Sequence, residues 1–77
     1  MSRIIIANRR GHQVLEWTLD ETEESRALVE EAERIIKEAR ERGCAVSMKV
    51  DGQHVITTAP FDPHVEEYQI IAPIAGG

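Results

Sequence analysis

Seventy-seven residues with a net charge of −5 and a single tryptophan, tyrosine and phenylalanine make one small domain. A chain of this length buries only about 60% of its unfolded surface, which leaves no room for an enclosed substrate pocket beside the core. The acidic balance excludes nucleic acid and an anionic membrane surface, both of which need a basic face, and suits a basic patch on a partner protein.

The chain opens with Arg3-Ile4-Ile5-Ile6-Ala7, a β-branched run expected to form a buried strand. Asn8 to His12 is a polar turn carrying Arg9 and Arg10, too few basic residues for a nucleic-acid patch. From Gln13 to Leu19 the residues alternate, with Leu15, Trp17 and Leu19 on one face. The two segments predict an N-terminal hairpin with Trp17 in the core.

A helix is predicted over about Thr22 to Arg42. Asp20 followed by Glu23 fits a capping box, and Thr22 is a competing cap. Acidic residues crowd the start, and Lys37, Arg40 and Arg42 the end, an order that complements the helix dipole. Leu28, Ala32, Ile35, Ile36 and Ala39 form one apolar stripe. Glu30/Arg34, Glu33/Lys37 and Glu38/Arg42 are spaced for surface pairs. Gly43 terminates the helix.

Beyond it the period falls to two. Val46, Met48 and Val50 alternate with Ser47 and Lys49, and Asp51-Gly52 marks a two-residue hairpin into a strand over Gln53 to Thr58. Ala59-Pro60-Phe61-Asp62-Pro63 is a loop, because each proline lacks an amide donor. Phe61 either caps the core beneath that loop or is an exposed contact. His64 to Glu67 is a candidate single turn, and Glu67 to Ala72 the last strand.

No segment carries a catalytic pattern. Cys44, the only cysteine, excludes an internal disulfide and reads as a small buried thiol. His12, His54 and His64 read as surface residues, with no metal-ligand spacing among themselves or to Cys44, so no metal is expected. No apolar run approaches the roughly 20 residues of a membrane span, and no N-terminal stretch has the character of a targeting signal. A soluble, cytoplasmic protein is expected.

The most informative stretch is the last: Ile70-Ile71-Ala72-Pro73-Ile74-Ala75-Gly76-Gly77. An apolar strand runs into a proline, then a short apolar tail, then two residues without Cβ atoms. Frayed ends are ordinarily polar, and glycines let a chain thread a narrow channel. The division expected is a domain over 1–72 and a flexible tail over 73–77, with the terminal carboxylate as the functional group.

In length, in its ββα start and in this ending, the chain resembles the ubiquitin-like proteins. It is similar in particular to the prokaryotic ones and to the small sulfur carriers of thiamine and molybdopterin synthesis. The resemblance implies an α+β, ubiquitin-like β-grasp fold of order ββαββ(β), with one long helix packed on a mixed sheet. It also implies a protein substrate rather than an enzyme. A ThiF-like activating enzyme would bind the body, draw in the tail and join the Gly77 carboxylate to AMP. The acyl group would then pass to a thiol and on to target proteins, helped by a conjugating enzyme and reversed by a deconjugating protease. No cofactor binds the chain; ATP is used by the activating enzyme. Gly76 gives clearance, and Pro73, Ile74 and Ala75 are the candidates for tail recognition. Lys49, Thr57, Gln69 and Ile71 form a candidate docking face.

Two alternatives stand beside the modifier. One is a sulfur carrier that ends in a thiocarboxylate; the other is a non-covalent interaction or assembly protein with an idle tail. The proline-flanked loop and the long helix depart from the sulfur carriers. Only Lys37 and Lys49 could accept lysine-linked chains. These departures suit a bacterial or phage-encoded modifier.

Overall fold

The computed structural model describes residues 1–8 and 11–72. It is an α+β domain in which one helix packs on a five-stranded mixed sheet. The strands are β1 (Ser2–Asn8), β2 (Gly11–Trp17), β3 (Ala45–Val50), β4 (Gln53–Ile56) and β5 (Glu67–Ile71), and the helix is α1 (Glu23–Glu41). Among the described residues no helix is long and apolar enough to cross a membrane.

The order across the sheet is β2-β1-β5-β3-β4. Two antiparallel hairpins, β1–β2 and β3–β4, flank the last strand. β5 runs parallel to β1 and antiparallel to β3, so the segment leading to the C-terminus is held by ladders on both sides. Strand alternation turns Ile4, Ile6, Leu15, Trp17, Val46, Met48, Tyr68 and Ile70 toward the helix, where they are buried or half-buried. Ala32, Ile36 and Ala39 close the core from α1, with Leu28, Val29 and Ile35 packed at its margin. The small Ala32 and Ala39 let the helix approach the sheet closely, while Ile36 fills the space between them.

Of the two cap candidates in the sequence, the structure uses Thr22 and not Asp20. Thr22 is the N-cap and accepts from the Ser25 N–H at 3.1 Å. Asp20 sits ahead of it, accepting from the Thr22 N–H and hydroxyl and from the hydroxyls of Ser25 and Thr18. These donors, Ser25 foremost, hold its carboxyl well below the usual carboxylate range. At the other end the Gly43 N–H reaches the Arg40 carbonyl and the Cys44 N–H the Ala39 carbonyl, a Schellman closure with Gly43 at φ +84°. On the outer face Arg34 pairs with Glu31, three residues away, rather than with Glu30.

The β3–β4 turn has positive φ at both central residues, Asp51 at 51° and Gly52 at 80°. That geometry matches the right-handed twist of the flanking strands and favours an Asp-Gly pair. A Cβ at Gly52 meets no neighbour, so its cost is purely conformational. Gly52→Ala is therefore expected to destabilise the domain by about 1 kcal/mol, read as a lowered urea midpoint at unchanged slope.

Thr57 to Glu66 form the loop under the core. Phe61 is the core-capping aromatic: its ring centroid lies 5.6 Å from that of Trp17 and 5.5 Å from that of Tyr68. The Trp17 indole N–H donates to the Pro63 carbonyl at 3.0 Å, and the Tyr68 hydroxyl accepts from the Asp62 N–H at 2.9 Å. Leu19, expected beside Leu15 and Trp17, lies instead beyond the end of β2 and is half-exposed. The chain turns at Thr18 to start the cap, which breaks the alternation that would have carried Leu19 inward.

Candidate functional site

Among the described residues nothing covers the face of the sheet away from the helix, and the strand registers fix which side chains lie side by side on it. One row crosses all five strands as Val14, Ile5, Gln69, Ser47 and Ile56. A second holds Glu16, Arg3 and Glu67, with Lys49 and His54 paired across β3 and β4. Ile71 lies beside Ala45 at the end from which the chain continues to its C-terminus.

A chain of side-chain bonds runs through the charged row. Arg3 Nε donates to Glu67 Oε1 at 2.7 Å; His54 Nε2 lies 2.5 Å from Glu67 Oε2; His54 Nδ1 lies 3.0 Å from Ser47 Oγ. Neutral His54 with its proton on Nε2 satisfies both neighbours, donating to Glu67 and accepting from the Ser47 hydroxyl. Glu67 is buried, and its carboxyl is held below the usual range, chiefly by the His54 hydrogen bond with Arg3 adding to it. Lys49 Nζ stands 3.7 Å from Glu66.

The order Ser-His-Glu is that of a nucleophile, base and orienting group. Here Ser47 is only 3% exposed, and its strand is paired with both β4 and β5. The backbone N–H groups that would stabilise an oxyanion are thus engaged in the sheet. The chain of bonds acts as a staple that ties the edge strand β4 across β3 to β5 and on to β1. Among the described residues no cluster of His, Cys, Asp or Glu is arranged to hold a metal ion.

Of the candidate docking residues, Lys49, Gln69 and Ile71 share the uncovered face. Thr57 does not: its N–H pairs with the carbonyl of Val46, whose side chain faces the helix, and its own carbonyl accepts from Arg40 of α1 at 3.2 Å. The sequence does not single out Arg3, Ser47 or Glu67, and His54 is exposed as expected but has both ring nitrogens engaged, by Ser47 and Glu67. Alternation put Ser47 opposite Val46 and Glu67 opposite Tyr68; it was silent on which strands would be neighbours. Cys44 is half-buried against the core. Pro73, Ile74, Ala75, Gly76 and Gly77 lie outside the described residues, as do Arg9 and Arg10.

Comparison with protein-family models, with curated proteins and with solved structures finds no match.

Proposed function

We propose that the chain is a ubiquitin-like β-grasp modifier whose Gly77 carboxylate is activated by a ThiF-like enzyme and transferred to target proteins. One observation carries the reading. The apolar, Gly-Gly-ending segment follows directly on β5, the strand inserted between the two hairpins and held on both sides. A partner that grips the sheet therefore grips a rigid base for the tail. The two hairpins, the crossing helix and the parallel β1–β5 pair support the β-grasp reading.

In this scheme the carboxylate of Gly77 attacks the α-phosphorus of ATP and releases pyrophosphate. A thiolate of the activating enzyme displaces AMP to give a thioester. A target amine then displaces the thiolate and forms an amide. The chain supplies no acid, base or metal to these steps. It supplies a carboxylate on residues narrow enough for a tight channel and a face for docking, on which Ile71 and Gln69 lie toward the C-terminal end of β5 and Lys49 toward its start. Adenylation of the carboxylate needs ATP only in the activating enzyme.

The test is conjugate analysis of the protein recovered from its own host, with the activating enzyme expressed and a Gly77 deletion run in parallel. The last basic residue is Lys49, so trypsin would leave a branch from Val50 to Gly77. A protease that cuts after glutamate leaves Tyr68 to Gly77, a usable remnant. Such remnants on other proteins, absent from the deletion strain, are the expected result. A free protein with one terminal oxygen replaced by sulfur would make it a sulfur carrier instead. An unmodified carboxylate throughout would overturn both.

A further inference from the structure

The strand β4 closes one side of the sheet, and among the described residues nothing pairs with its outer edge. Exposed edges are ordinarily blunted by charge, proline or a bulge. Gln53-His54-Val55-Ile56-Thr57-Thr58 has no acidic residue, lysine, arginine or proline, and it exposes apolar side chains on both faces. Val55 is 42% and Ile56 64% exposed, and Val50 across the hairpin is exposed too. Such a segment is a template for strand pairing. β2, at the opposite edge, carries Glu16.

The backbone shows which groups are free. The two-residue turn makes Val50 and Gln53 a hydrogen-bonded pair, and antiparallel ladders alternate. Met48 and Val55 are then the next such pair, and the Thr57 N–H to the Val46 carbonyl, 2.9 Å, continues the series. His54 and Ile56 therefore turn their N–H and C=O groups outward. The His54 ring is tied to Ser47 and Glu67, which fixes the strand that presents them.

We propose that β4 pairs with β4 of a second copy of this chain, antiparallel about a two-fold axis at Val55. His54 and Ile56 then exchange hydrogen bonds with Ile56 and His54 of the other copy, and the two sheets become one. This register meets no like charges along the strand. The proposal is independent of the modifier reading, because β3 separates this edge from β5, the strand from which the chain continues toward Gly77.

An edge this short makes a weak contact, with a dissociation constant on the order of 100 µM. Sedimentation velocity of the full chain from about 10 µM to about 1 mM, a range that brackets that constant, is expected to show a monomer passing to a dimer. Over the same range the His54 and Ile56 amides should gain protection from hydrogen exchange. Ile56→Lys and Val55→Lys, on opposite faces of the same edge, should each weaken association at least roughly tenfold. Val14→Lys on β2 should leave it unchanged. A single monomeric species throughout overturns the proposal. So does association lost in Val14→Lys, or lost in Ile56→Lys but kept in Val55→Lys, the last pattern meaning that the sheet faces stack instead. Circular dichroism on each variant separates lost association from lost folding.

Discussion

Trp17→Ala is expected to destabilise the domain by about 3–5 kcal/mol, the range for deleting a buried large aromatic. Stabilities of small domains start at about 5 kcal/mol, so much of this variant should be unfolded at room temperature. Several losses coincide at this residue. Trp17 is 1% exposed and one of the two largest buried side chains, with Tyr68. Its ring supports Phe61, which in turn lies against Tyr68, so the aromatic cluster loses its first member. Its N–H holds the Pro63 carbonyl, which the Ser2 hydroxyl approaches only at 3.4 Å. Trp17→Phe keeps most of the apolar surface and gives up the indole bond, and should cost about 1–2 kcal/mol. Urea unfolding followed by far-ultraviolet circular dichroism checks both, since the only tryptophan is removed. If Trp17→Ala unfolded at the wild-type midpoint, the loop would be held by its prolines alone and the aromatic cluster would not be part of the core.

Much of this core is legible in the sequence because its causes are local. The stripe Leu28, Ala32, Ile35, Ile36, Ala39 follows from the helical period, and Asp51-Gly52 from the positive φ its turn requires. Gly43 past the helix end follows from the same backbone constraint. What escapes is whatever depends on pairing between distant segments. Arg3, Ser47, His54 and Glu67 lie on four different strands, and alternation says only which face each takes within its own strand. That they meet depends on β5 lying between β1 and β3 with one particular register. A slip of one residue would turn Glu67 toward the helix and Tyr68 outward. Thr57, by contrast, is legible locally: the two-residue turn that pairs Val50 with Gln53 carries Thr57 opposite Val46, on the helix side, where Arg40 binds its carbonyl. Thr22 wins the cap from Asp20 because Asp20 already receives four hydrogen bonds from its neighbours.

The staple itself makes the second large prediction. Glu67→Gln should lower stability at pH 7 by about 1–3 kcal/mol, the cost of leaving a buried polar side chain poorly matched to its neighbours. The amide offers one acceptor where the carboxylate offers two, and its NH2 group faces either the Arg3 guanidinium or the His54 N–H. The Arg3 side of the bond is partly open to solvent, which screens it, so most of the loss falls on the His54 contact, consistent with its being the main cause of the lowered Glu67 ionisation. The pH dependence has a definite sign. A carboxyl whose folded pKa lies below its unfolded value of about 4.3 contributes its full stabilisation above that value. The contribution fades as pH falls through the folded pKa, where the native carboxylate takes up its proton. Wild type and Glu67→Gln should therefore differ most at neutral pH and converge as the solution is made acid below about pH 4, because protonated Glu67 is itself a neutral, half-matched group. Urea midpoints at a series of pH values measure this directly. A gap that stayed constant down to the acid limb would mean that the carboxylate charge contributes nothing, and that Glu67 serves only by its shape. A His54→Ala background removes the principal donor, and the effect of Glu67→Gln should shrink there, a coupling that two independent surface residues would not show.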